Sequence, residues 1–207
     1  MLAERKFRVR SIVELILTVA VAIGLALLVE AFVVKPYRIP SSSMEPTLNI
    51  GQRILVNRLG ADFGSPRIGD ILVFHPPADY TACADPQQGA NAEGEPDAQA
   101  CDTPARSESP VTFVKRVVGL PGDRLRIVDG HVIRNGQRES DGYTIRCGSS
   151  PACDFPRTIV VPKGTYYMMG DNRPDSEDSR FWGPVPKGWI IGQAFFTYWP
   201  PDRLGVL

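Results

Sequence analysis

Three clusters in this sequence have the residue types that covalent chemistry needs. The first is Ser41-Ser42-Ser43, inside PYRIPSSSMEPTLNIG at 36 to 51. Pro40 and Pro46 fix φ on either side and bias the preceding residues toward extended backbone, which predicts a stiff, exposed bend. A hydroxyl held that way can be a nucleophile, although the same composition also suits a polar linker. The second is Lys115 in VTFVKRVVG. Strand alternation puts Val111, Phe113, Lys115 and Val117 on one face and Thr112, Val114, Arg116 and Val118 on the other. A lysine among Val and Phe loses hydration, so its pKa falls and the amine can take a proton; the competing reading is a stem that snorkels to water. The third is GDNRPDSEDSR at 170 to 180, dense in charge and small side chains.

A serine nucleophile needs a base, and besides Lys115 the chain offers only His75 and His131. His75 precedes two prolines and His131 adjoins a turn, both ordinary places for a surface imidazole, which disfavours a Ser-His-Asp triad. In the third cluster Asp171, Asp175, Glu177 and Asp178 are hard oxygen donors, but EF-hand spacing is absent. An ordinary solvated turn is the plain alternative. In another reading Ser176 bonds to the lysine while Asp178 and Arg180 pair to hold the loop.

The elements that must position these groups follow from patterning. Apolar sequence from Ile12 to Val34 predicts one transmembrane helix over 11 to 34, since about 23 residues at about 1.5 Å each cover a hydrocarbon core of about 30 Å. A cleavable signal peptide is the alternative, and no small-x-small site follows Val29 to support it. Arg5, Lys6, Arg8 and Arg10 make residues 1 to 10 a cytoplasmic N-terminus, which places the chain after residue 35 outside, in an oxidising compartment. Charges balance at 23 basic and 23 acidic with pI about 6.7, so no global field gathers nucleic acid.

The remainder, with 19 Gly, 19 Pro and many β-branched residues, reads as mainly β. RILVN (53 to 57), DILVF (70 to 74) and VTFVKRVV (111 to 118) are predicted strands of a catalytic domain whose first part is 35 to 123. Residues 76 to 110, rich in Ala, Pro, Gly and acids, form a flexible acidic surface insertion, with Cys83 and Cys101 as a possible tie at its base. Asp129-Gly130 and Asn135-Gly136 between short runs mark hairpins in a smaller inserted β subdomain, 124 to 163. Cys147 and Cys153 should close a disulfide there, because their spacing is not C-x-x-C. The catalytic domain resumes over 164 to 207 and ends in an apolar run from Trp189 to Trp199.

PSSSMEPTL at 40 to 48, FVKRVVGLPGD at 113 to 123 and GDNRPDSEDSR at 170 to 180 resemble, in order and wording, the boxes of the bacterial type I signal peptidases. That resemblance implies Ser43 as nucleophile and Lys115 as general base of a Ser-Lys dyad. Ser41, with the Ser43 backbone N–H, would form the oxyanion hole. Ser176 would orient the lysine amine, with Asp178 and Arg180 supporting the site. Two positions depart from the family's wording: Ser42 stands where glycine is frequent, and Pro174 where aspartate is common.

The implied protein is an endopeptidase of the inner membrane, single-pass, with its catalytic domain on the outer face. It would remove signal peptides from exported precursors after Ala-x-Ala type sites, with no cofactor and no metal. Its partners would be those signal peptides and the lipid bilayer, where Phe181, Trp182, Trp189 and Trp199 are candidates for resting on lipid or packing in the core. The alternatives are a dedicated Ser-Lys processing peptidase with one substrate and a non-catalytic membrane-tethered β binding module.

Overall fold

The computed structural model describes residues 14–25, 27, 33–59, 64–78, 99–148 and 153–207. Among the described residues twelve strands run in chain order: β1 (Val34–Arg38), β2 (Arg53–Asn57), β3 (Ile71–Phe74), β4 (Phe113–Gly119), β5 (Arg124–Val128), β6 (His131–Arg134), β7 (Gln137–Arg138), β8 (Phe155–Val160), β9 (Thr165–Met169), β10 (Val185–Pro186), β11 (Ile190–Trp199) and β12 (Gly205–Val206). The larger sheet has the order β1-β2-β11-β3-β4-β9-β10, with β12 added to β11. A second sheet has the order β7-β6-β5-β8. The fold is mainly β, as the turn-rich composition predicts.

Alternation explains how the larger sheet is buried on two faces. In β3, Ile71 and Val73 join a cluster with Ile39, Met44, Leu48, Ile54 and Val56, whereas Leu72 and Phe74 join one with Val117, Met168, Trp182 and Val185. The second sheet buries Leu125, Ile127, Val132, Phe155 and Ile159 against Val118, Tyr167 and Met169 of the first. Its hairpins turn where Asp129-Gly130 and Asn135-Gly136 take φ values of 50°, 74°, 54° and 85°, the conformation that glycine and asparagine tolerate best.

The expected membrane helix coincides with a helix over 14–25, whose apolar side chains are exposed, Leu15 by 63% and Leu17 by 65%. Residues 11–13, 26 and 28–32 lie outside the described residues, and among those described no helix is long and apolar enough to cross a membrane. The helical expectation through residue 34 is corrected at its end. Val34 begins β1, where it pairs with Asn57, because β-branched valines lead into Pro36 and β2 offers an edge.

The expected insertion is held where it leaves and rejoins the fold. Ala78 N donates to Ser107 O, Ser109 N to Pro76 O, and Ala100, Cys101 and Ala105 are buried. Residues 79–98, including Cys83, lie outside those described, so its pairing with Cys101 does too. Cys147 and Cys153 are bonded.

Candidate active site

The bend after β1 carries the serines because Ile39 and Met44 anchor it from below. Both are buried in the core, and Ile39 N donates to Gln52 O at 2.8 Å while Gly51 N donates to Ile39 O at 2.8 Å. A further turn closes with Glu45 N on Ser42 O, 2.9 Å. Ser43 is thereby held nearly buried, 9% exposed, with Ser42 half-buried and Ser41 exposed.

Lys115 reaches the same point from the middle of β4, opposite Leu72 of β3. It is only 3% exposed, and its Nζ lies 2.6 Å from Ser43 Oγ. Burial lowers its pKa from 10.5 to about 8, with Arg180 adding to the fall while Asp178, Glu177 and Asp171 oppose it. An amine with that pKa can take the proton of a hydroxyl it touches near neutral pH. Ser41 Oγ lies 3.3 Å from Ser43 Oγ. Ser43 and Lys115 stand in a groove of about 340 Å³ whose walls are residues 37–44 and 112–115, with Asp175 and Glu177 at its rim.

Behind this pair, the loop 170–180 is built around Asp178, which is fully buried. Its Oδ2 accepts from Ser176 Oγ at 2.7 Å, Gly170 N at 3.0 Å and Arg180 Nη2 at 2.9 Å, and its Oδ1 from Arg180 Nε at 2.8 Å. Burial alone would raise the carboxyl's pKa; the Arg180 guanidinium outweighs it and holds the group below the usual carboxylate range. Arg180 also donates to the carbonyls of Arg173 and Ser176 at 2.8 and 2.9 Å. Ser176, assigned by resemblance to the lysine amine, donates its one hydroxyl proton to Asp178, so toward Lys115 it can act only as an acceptor.

Four contributions escape sequence reasoning. Arg116 grips Asp171 with two bonds, 2.8 and 2.7 Å, donates to Gly69 O at 2.8 Å, and stacks 4.1 Å from the centroid of the Tyr143 ring. Asp171 is therefore committed to an arginine, and among the described residues no group of acids, histidines or cysteines is arranged to hold a metal ion. Arg173, 1% exposed, ties the loop to the second sheet through Gly130 O and through Glu139 Oε1 at 2.7 Å. Asn172 N donates to Ser43 O at 3.1 Å, joining the loop to the backbone of Ser43 itself. Gly170 is packed so closely that a Cβ would fall on Ser176 Oγ and the Ser43 carbonyl oxygen. Arg173, Asn172 and Gly170 sit in a polar run with no periodic signal, and Arg116 reads only as the polar face of a strand; only the excess of charge hints at internal pairing.

The aromatic residues divide. Trp182 is fully buried with its ring 5.9 Å from that of Phe74, so of its two readings the core one holds. The reason is the short helix Ser179–Trp182, capped by Asp178, which turns the indole inward. Phe181 packs partly buried on the cluster of the second sheet and Trp189 on that of Leu72 and Phe74, and Trp199 is 50% exposed.

A serine hydroxyl beside a buried amine, at the end of a groove walled by strands, is the equipment of a serine endopeptidase. Residues 12–199 match the family described as signal peptidase, peptidase S26. The signal peptidase I of Leptolyngbya laminosa is 36% identical over 196 residues, covering 95% of this chain and 84% of that protein. A probable signal peptidase I-1 of Synechocystis sp. is 38% identical over 187 residues, 90% and 82% respectively, and a signal peptidase IB of Staphylococcus aureus is 30% identical over 206 residues, 92% and 91%. A crystal structure of a signal peptidase I from Enterococcus faecalis V583 covers 62% of this chain and 96% of that one at 24% identity and a TM-score of 0.36, too loose a likeness to carry an argument. The chain belongs to the peptidase S26 family and is a serine endopeptidase of the signal peptidase I type.

Proposed function

We propose that this enzyme cuts signal peptides from exported precursors by acyl transfer between Ser43 and Lys115. The observation that carries the reading is the 2.6 Å approach of a buried amine to a serine hydroxyl. Neutral Lys115 takes the Ser43 proton as Oγ attacks the scissile carbonyl. The oxyanion accepts from Ser43 N–H and Ser41 Oγ–H, each worth about 3 to 4 kcal/mol in the transition state. The lysine passes its proton to the departing amine, leaving an ester on Ser43. Neutral again, Lys115 then deprotonates the water that hydrolyses the ester. Ser176, Asp178 and Arg180 hold the loop behind the lysine throughout.

Substrate would add as a strand. Among the described residues β1 has only β2 as a neighbour, and β4 pairs with β9 from Arg116 onward, so 113–115 has one open edge. An extended peptide can hydrogen-bond to both walls, with a groove this size admitting small side chains such as those of Ala-x-Ala. The exposed apolar helix just before β1 is the membrane anchor in this reading. It sets residues 35–123 and 164–207 as a catalytic domain on the outer face, with 124–163 inserted. The bonded Cys147 and Cys153 suit that oxidising side.

The test supplies a labelled precursor to membranes carrying wild-type enzyme, Ser43→Ala or Lys115→Ala. Wild type alone should release the mature protein; full processing by either variant overturns the proposal.

A further inference from the structure

The groove is charged unevenly along its length, and its direction can be read from the sheet. Four antiparallel pairings lead from β1 through β2, β11 and β3 to β4, so β1 and β4 run the same way. Tyr37 and Phe113 therefore mark one end, and Ser43 and Lys115 the other. Asp175 and Glu177 belong to the second end, since Ser42 Oγ donates to Asp175 Oδ2 and both carboxylates line the groove beside the serine and lysine. Arg38, the groove's other cation, stands on the β1 side. Asp175 and Glu177 are exposed, and among the described residues Glu177 makes no hydrogen bond or ion pair that would neutralise it.

We infer that Asp175 and Glu177 read the residues immediately after the scissile bond, disfavouring acidic side chains there and accepting basic or uncharged ones. This rests on the signal-peptide reading above. A signal peptide is held by the membrane on the N-terminal side of its cleavage point, and β1 is the wall that succeeds the apolar helix in this chain. The substrate's N-terminal side thus enters by Tyr37 and Phe113 and runs toward Ser43. The substrate chain beyond the cut bond leaves past Ser42, Asp175 and Glu177. A carboxylate side chain there meets two like charges in a water-accessible rim, where each unscreened pair at a few ångströms weakens the encounter severalfold. A lysine gains by the same arithmetic.

The experiment uses the full chain in lipid–detergent micelles and three synthetic peptides. Each carries the same apolar segment and Ala-x-Ala site, followed by Lys-Lys, Ala-Ala or Asp-Asp. Wild-type kcat/KM should favour Lys-Lys over Asp-Asp by about tenfold at low salt, and the ratio should shrink in molar salt. Glu177→Gln combined with Asp175→Asn should bring it near one, and Glu177→Lys should turn the preference toward Asp-Asp. Glu177→Gln is the cleaner single change, because it leaves no bond broken. Equal cleavage of the three peptides by wild type, or an unchanged ratio in the double variant, overturns this inference while leaving the Ser-Lys mechanism standing. No cleavage of any peptide, with full precursor processing by Lys115→Ala, overturns the mechanism and this inference together.

Discussion

Lys115 and Arg180 are cations buried almost equally, 3% and 0% exposed, yet their surroundings treat charge in opposite ways. Arg180 is met by both oxygens of Asp178 and by two backbone carbonyls. Among the described residues Lys115 has one hydrogen-bond partner, the Ser43 hydroxyl. Burial pushes the lysine down to about 8, whereas the arginine keeps its carboxylate ionised below the ordinary range. The carboxylate best placed to keep the lysine charged is thus engaged elsewhere. In the proposed mechanism full pairing makes a support, and incomplete pairing makes a base.

The sharpest way to break this contrast is to give the lysine position a charge that cannot leave. Lys115→Arg keeps a cation on a long stem, but guanidinium cannot take the serine proton, so kcat/KM on a precursor peptide should fall by about four orders of magnitude. Near wild-type turnover by this variant would remove the lysine from the mechanism. Asp178→Ala attacks the other side. It leaves Arg180 buried without its carboxylate and uncaps the helix Ser179–Trp182, which should cost about 3 to 5 kcal/mol in urea unfolding of the full chain in micelles.

A third change should stabilise. A lysine whose pKa falls from 10.5 to about 8 on folding binds its proton more weakly folded than unfolded, so stability rises with pH across that window and is penalised below it. The penalty near neutral pH is about 3 kcal/mol. Lys115→Met should recover much of it, and the rise between pH 8 and 10.5 should vanish from its stability curve. The smallest effect is expected at the junction of the two regions. Gly170→Ala places a methyl on Ser176 Oγ and the Ser43 carbonyl oxygen. Overpacking of this kind costs about 1 to 3 kcal/mol, and by moving Ser43 it should lower kcat more than it raises KM.

The sequence is most informative where a local rule acts alone. RILVN is a strand with alternate residues buried, and Asp129-Gly130 and Asn135-Gly136 turn where left-handed backbone is needed. Lys115 follows from alternation, because a strand leaves the lysine no choice of face. The features hidden from it depend on distant partners. Arg116 reads as the polar face of β4, but it is recruited by Asp171 and Tyr143, 55 and 27 positions away in the chain. Asp171, Asp175, Glu177 and Asp178 read as one acidic cluster, yet folding sorts them. Two are buried with arginines, and two are left at the groove rim. Resemblance assigns Ser176 to the lysine, and the structure adds that its hydroxyl donates to the acid that Arg180 holds. Trp182 carries no sign of its inward turn apart from the cap at Asp178, which is legible only once the helix is known.

The most direct measurement is the pH dependence of kcat/KM on a precursor peptide whose own groups do not titrate between about pH 6 and 10. With Lys115 acting as a neutral base, activity should rise tenfold per unit on the acid side and level off through an apparent pKa near 8. A flat profile across that range, or a rise that waits until about 10.4, the ordinary value for lysine, would contradict the account.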